Sequence, residues 1–401
     1  MVTALVSAVL MATAHAPGPI QEFRGVWVAS VANIDWPSRT GLSNDELRRE
    51  LDVIFTTCER VHLNAVVLQV RPSADALYAS RFEPWSAYLS GKQGVAPADG
   101  FDPLAYAVKQ AHAHGLELHV WLNPYRAKHS ADKGPASPDH ISVTHPDAVK
   151  SYGTFLWMDP GDKYVQDHTF NVFMDLVDRY DIDGVHIDDY FYPYPVNGPD
   201  KKPIDFPDGP SYAKYLAGGG RLAKDDWRRK NVDDFIERVY KGIKKHKKSV
   251  KFGISPFGIY RPGVPAGIKA GVDQYAELYA DCKRWFREGW CDYLTPQLYW
   301  PIRQTAQSFP VLLDWWKSQN VKGRHLWPGH FTSRTNPKEG NWGAVEVTDQ
   351  IEIARKTLGP GGGTVHFSMK ALLEDWNGIN EALLAGPYKD KAVIPPSPWL
   401  E

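Results

Sequence analysis

The sequence predicts a single α/β domain, a (β/α)8 barrel with long loops after its strands. Three observations lead there. A short apolar run followed by helical periodicity recurs eight times along the chain, the pattern of parallel strands joined by crossover helices. The mean spacing, about 45 residues, suits a barrel unit with extended loops. Polar side chains gather toward the C-terminal ends of six strands, where a barrel filled by packing alone would carry branched apolar residues.

The eight runs fall at 24–29, 65–70, 116–122, 184–188, 251–255, 293–298, 325–329 and 364–368. The clearest helix follows the first of them. Ser43-Asn44-Asp45-Glu46 reads as a capping box, and Leu47, Leu51, Ile54 and Phe55 share one apolar face. Further helices are expected over 103–114, 165–180, 232–247, 276–287, 309–319, 347–358 and 371–384. Unbroken alternation implies a parallel sheet, and eight repeats imply closure. The remaining chain enters mainly the loops after strands one to four, above all 123–161 and 189–230, which widens a cleft at the face where barrel enzymes keep their chemistry. The expected organisation is a signal peptide over 1–16, a barrel over 17–385 and a proline-rich tail over 386–401, either laid over the barrel or loose.

Composition narrows the function. In 401 residues, 46 Lys and Arg balance 47 Asp and Glu, so no strong field draws nucleic acid or an anionic membrane. The 15 Trp and 19 Tyr, many of them just past strands, suit the flat faces of sugars, although such rings also fill large cores. Residues 1–16 are apolar, end in Ala14-His15-Ala16 and are too short to span a bilayer, which points to a cleaved signal and an exported, periplasmic or extracellular protein. Cys58 falls on a helix face as buried filler. Cys282 and Cys291 could bridge one turn, but three cysteines make no disulfide framework and none has zinc-ligand spacing.

Strand alternation sorts side chains into those facing helices and those facing the barrel axis. On the fourth strand Val185 and Ile187 face helices, which leaves His186 and Asp188 on the axis. The same parity turns inward Gln69 and Arg71, then His119, Trp121, Asn123 and Tyr125, then Gln297 and Tyr299, His330, and finally His366, Ser368 and Lys370. One inward His or Gln is more often part of a satisfied buried network. Convergence from six strands is better explained by a ligand. Carboxylates are scarce in this ring, since strands five to eight end without Asp or Glu. Asp188 and Asp189 are therefore the acid and base candidates, and two neighbouring carboxyls whose environments separate their pKa values can divide the work of glycosidic cleavage.

Five blocks carry a family resemblance: Glu22-Phe23-Arg24-Gly25-Val26-Trp27-Val28, Leu68-Gln69-Val70-Arg71-Pro72, His119 through Arg126 (HVWLNPYR), Asp183 through Tyr190 (DGVHIDDY), and Pro296-Gln297-Leu298-Tyr299-Trp300. In this order the chain resembles the glycosyl-hydrolase-like family 10 of exported bacterial proteins. The resemblance implies a (β/α)8 barrel and hydrolysis of cell-wall glycan, in some members peptidoglycan strands stripped of their peptides. The expected site has Asp188 and Asp189 as catalytic residues and Arg71, Asn123, Tyr125, His186, Tyr190, Gln297, Tyr299, Trp300 and His330 binding substrate, with no cofactor or metal. Trp300 and Tyr125 are expected to line the cleft. Substrate-assisted hexosaminidases end their fourth strand in a similar pair, one carboxyl orienting the substrate acetamide and the other protonating the leaving oxygen. A distant second carboxylate from Asp35, Asp75 or Asp159 is the other possibility.

Two further readings compete. A barrel that binds glycan without cutting it would share every feature except a need for paired carboxylates. A metal-dependent deacetylase would join Asp188 or Asp189 to His119, His186 or His330.

Overall fold

The computed structural model describes residues 19–401; the expected signal segment lies outside them. Eight parallel strands form the centre: β1 (Phe23–Val28), β2 (Ala65–Arg71), β3 (Glu117–Leu122), β4 (Gly184–Ile187), β5 (Lys251–Ile254), β6 (Tyr293–Leu294), β7 (His325–Leu326, resuming at Gly329–His330) and β8 (Gly363–His366). Each pairs with the next, and β8 pairs with β1 through Thr364↔Arg24 and Val365↔Gly25. The ring closes across β7. Its first half pairs with β6, its second half with β8, and the Trp327 and Gly329 amides reach back to Leu294 and Pro296 carbonyls at 2.9 Å. Pro328 has no N–H to give the ladder, which is why the strand is written in two pieces.

The helices wrap this ring: α1 (Asn44–Arg60), α2 (Pro103–Ala113), α3 (Lys163–Arg179), α4 (Lys224–His246), α5 (Cys282–Glu288), α6 (Phe309–Gln319), α7 (Ala344–Leu358) and α8 (Ile379–Ala385). The capping box at Ser43 and Glu46 forms as the sequence predicts, and Leu47, Leu51, Ile54 and Phe55 are buried. Inside the ring, large aromatic rings alternate with glycines. The Phe23 and Trp327 rings stack at 3.8 Å, and a Cβ at Gly253 would lie 1.8 Å from the Tyr293 ring, so β5 must carry glycine for Tyr293 to enter the axis.

Several elements differ from expectation. The segment expected as helix over 276–287 becomes helical only at Cys282, where Asp281 caps the Arg284 amide. The one expected over 371–384 is broken, because Asp375, Asn377 and Gly378 take positive φ and a helix cannot pass through three such residues. Helix α4 starts at Lys224, well before residue 232. The loop over 123–161 carries an antiparallel sheet of Arg126–Lys128, Phe155–Met158 and Val149–Tyr152. Cys282 and Cys291 are both buried and free. The tail is ordered against the barrel: Ala392–Val393 pairs with Ile20–Gln21, and Tyr388 is fully buried. No helix among the described residues is long and apolar enough to cross a membrane.

Candidate active site

At the C-terminal ends of the strands lies a cavity of about 320 Å³. Trp27 and Trp121 form its floor, and Asp188, Asp189, Tyr190, Tyr194, Gln297 and Tyr299 line it with Arg126, His129, Phe257 and Phe367. Asp188 and Asp189 contribute its only carboxylates, counted among the described residues; Asp35, Asp75 and Asp159 stand outside it.

Strand β4 delivers Asp188 onto the axis, where three N–H groups meet it. Trp121 Nε1 donates to Oδ2 at 3.1 Å, Asn123 Nδ2 donates to the same oxygen at 2.6 Å, and the Tyr190 amide donates to Oδ1 at 3.2 Å. Asp189 turns the other way and accepts from the Tyr194 hydroxyl. Burial raises the pKa of both carboxyls, that of Asp188 to about 7, with the neighbouring Asp189 charge adding to the effect. The Asn123 bond and the Arg126 charge oppose it at Asp188; Tyr194 and Gln297 oppose it at Asp189. The pair therefore retains a proton near neutral pH, as one group must if it is to donate and another is to stay charged.

Behind the cavity two chains of hydrogen bonds fix its walls. Gln69 Oε1 accepts from the Ser30 and Val31 amides, so its Nε2 must donate to Asn123 Oδ1, at 2.7 Å, which in turn aims the Asn123 N–H at Asp188. The second chain runs down the axis. Trp27 Nε1 can only donate, and it donates to His186 Nε2 at 3.1 Å; His186 Nδ1 then donates to the Tyr293 hydroxyl, which donates to His119 Nδ1, while His119 Nε2 donates to Glu117. Burial holds the His186 pKa well below the ordinary imidazole value, in keeping with its neutral role here.

The expected binding residues thus divide. Tyr190, Gln297 and Tyr299 line the cavity. Asn123 and His186 are fully buried beneath it and hold Asp188 and Trp27. Arg71, also fully buried, pairs with Glu83 and donates to the Asn123 carbonyl. Trp300 sits behind Phe257, edge to face at 5.7 Å. Tyr125 lies in the core against Phe235 at 5.4 Å: strand alternation stops at Leu122, and Pro124 turns the chain before Tyr125 is reached. His330 and His366 face the helix layer. Alternation from Trp327 and Val365, both inside the ring, places them on its outer side, where His330 meets Gln350 of α7 and His366 meets Thr332 and Tyr388. Ser368 bonds to Asp35, and the Lys370 amide does so as well. The rule that polar means inward fails at these positions because the helix side supplies polar partners.

The sequence pattern does not single out Arg126, His129, Tyr194 or Phe367, all of which line the cavity. Arg126 stands in a matched block, and Tyr194 follows the Asp pair within one aromatic run, Tyr190-Phe191-Tyr192-Pro193-Tyr194. The deacetylase reading finds no geometry. His119 and His186 share Tyr293 below the floor, His330 faces Gln350, and no three His, Cys, Asp or Glu among the described residues group to hold a metal.

A closed barrel whose cavity joins paired carboxyls to aromatic walls has the elements that glycosidic cleavage uses. The chain belongs to the family described as Glycosyl hydrolase-like 10, whose profile matches residues 22–338, and it is a glycosidase. It is 41% identical over 409 residues to "Glycosyl hydrolase YngK" of Bacillus subtilis (strain 168), covering 100% of this chain and 78% of that protein. It is 36% identical over 315 residues to "Glycosyl hydrolase DigH" of Escherichia coli (strain K12), covering 74% and 70%. Solved structures share the fold. They include the PgaB (BpsB) glycoside hydrolase domain from Bordetella bronchiseptica, with TM-score 0.58, 12% identity and coverage of 91% and 98%, and the catalytic domain of beta-amylase from Paenibacillus polymyxa, with TM-score 0.58, 13% identity and coverage of 93% and 98%.

Proposed function

We propose that this glycosidase cleaves bacterial cell-wall glycan, namely peptidoglycan strands lacking stem peptides, and that Asp188 and Asp189 carry the chemistry with help from the substrate. The observation behind this reading is that the cavity's carboxylates are two adjacent residues, with no third among its lining to act as a separate nucleophile. Sugars of the cell wall carry a 2-acetamido group that can fill that role. Its carbonyl oxygen attacks C1 as the bond from C1 to the leaving oxygen breaks, and the single proton that the pair shares passes to that oxygen from Asp189, with Asp188 left ionised. Asp188, oriented by Trp121, Asn123 and the Tyr190 amide, holds the acetamide N–H and stabilises the positive oxazolinium that results. Water then attacks C1, Asp189 takes its proton back, and the acetamide is restored with the anomeric configuration retained. Such a substrate lies outside the cytoplasmic membrane, so the proposal carries export with it. The test is mass spectrometry of products from strands with and without stem peptides, comparing wild type with Asp188→Asn. Fragments from bare strands with wild type alone are expected; intact strands would refute the substrate assignment.

A further inference from the structure

Arg126 enters the cavity from the short strand Arg126–Lys128, immediately after the β3 end, and the mechanism above gives its guanidinium nothing to do. It is 3% exposed. Its Nε donates to the Pro72 carbonyl at 2.8 Å, and its plane lies over the Tyr190 ring at 4.9 Å, so the group is held from behind and from one face. Both Nη atoms remain free. Among the described residues they donate to no acceptor, and no carboxylate comes within the 4.0 Å of an ion pair, although the charge is close enough to act on both Asp188 and Asp189. A buried guanidinium with an idle fork is costly to keep unless something binds it. Beside it His129 Nδ1 accepts from the Ala131 amide at 3.1 Å, which leaves the Nε2 hydrogen as a second donor at the cavity wall. Two planar donors converging in a cavity suit a carboxylate.

We infer that Arg126, assisted by His129, recognises a free carboxylate on a sugar next to the scissile bond. Resting on the cell-wall reading above, this assigns the carboxylate to the 3-O-lactyl group of N-acetylmuramic acid. In a strand bearing stem peptides that group is an amide, neutral and bulky; in a bare strand it is an anion. The Arg126 fork thereby gives a physical cause for selecting stripped strands: the amide offers no charge to the guanidinium and brings a peptide into a cavity of about 320 Å³.

The test compares three substrates on wild type and Arg126→Gln: bare strands, the same strands with lactyl carboxyls converted to methylamides, and oligomers of N-acetylglucosamine. Wild type should prefer bare over methylamidated strands by roughly 10- to 100-fold in kcat/KM, the range for a charge-assisted fork, and Arg126→Gln should abolish that preference; any loss from removing its charge beside the Asp pair falls on both strands alike, so the ratio of the two is the readout. Equal cutting of both strands by wild type overturns the inference without any variant. So does an equal fall on all three substrates, which would make Arg126 a partner of the Asp pair only. A binding arm separates this inference from the substrate reading. Quenching of tryptophan fluorescence by N-acetylmuramic acid, its methylamide and glucuronic acid should show a preference for the first that Arg126→Gln loses, even if no strand is cut. Equal capture of glucuronic acid overturns the lactyl assignment.

Discussion

Asn123 gives its side-chain N–H to Asp188 at 2.6 Å, and Gln69 leaves it no other orientation. The bond favours the ionised carboxylate and opposes the rise that burial imposes. In Asn123→Ala the Asp188 pKa should therefore climb above its value of about 7. The limb of the pH profile that requires ionised Asp188 should move to higher pH, with kcat at neutral pH reduced roughly 10- to 100-fold. A profile unchanged in position would separate Asn123 from the chemistry.

Asp188→Asn and Asp189→Asn should each fold and each lose about 10²-fold or more of activity. They should also reveal a stability cost. The Asp188 pKa rises on folding from the ordinary 3.8 to about 7, so the folded state holds the proton more tightly, and the stability this contributes is lost as pH climbs through that window. An amide carries no such penalty. The melting temperature of Asp188→Asn relative to wild type should thus be higher at pH 8 than at pH 4. An equal difference at both would show that Asp188 is not strained by its charge.

Tyr125 and Tyr299 should separate core from cleft. Tyr125→Ala removes a fully buried ring and should cost about 3–5 kcal/mol of stability, while the folded fraction keeps its kcat/KM. Tyr299→Ala should raise KM more than it lowers kcat, as expected for a wall that contacts the ground and transition states alike. Thermal melts beside steady-state kinetics check both.

Substrate assistance predicts tight binding of a thiazoline that mimics the oxazolinium intermediate. Its affinity should exceed that of the parent sugar by about 10²-fold or more, since the site complements the charged species. Rapid cleavage of a substrate without the acetamide would point to a nucleophile from a loop.

The sequence made the barrel legible because eight runs each carried the apolar alternation of a strand and were bounded by helical periodicity. It made Asp188 and Asp189 legible because few carboxylates end the strands. It misplaced Tyr125 because parity holds only while a strand lasts and Pro124 ends the count, and it misplaced His330 and His366 because polar partners on the helix side let a polar side chain face outward. Arg126 and His129 were hidden because they lie on a loop that folds back over the strand ends, and loop geometry has no period to read.

The pairing of Ile20–Gln21 with Ala392–Val393 has a consequence for how the molecule comes into being. The Glu22 amide donates to the Val393 carbonyl, Arg24 reaches the Asp390 carbonyl, and β1 finds one of its neighbours only in β8, so the part of the barrel made first is finished by the part made last. While the ribosome is still at work, β1 presents an unpaired edge. Contacts of such long sequence separation are the last a growing chain can make and are slow to close, so the barrel is completed only once β8 and the segment after it are available.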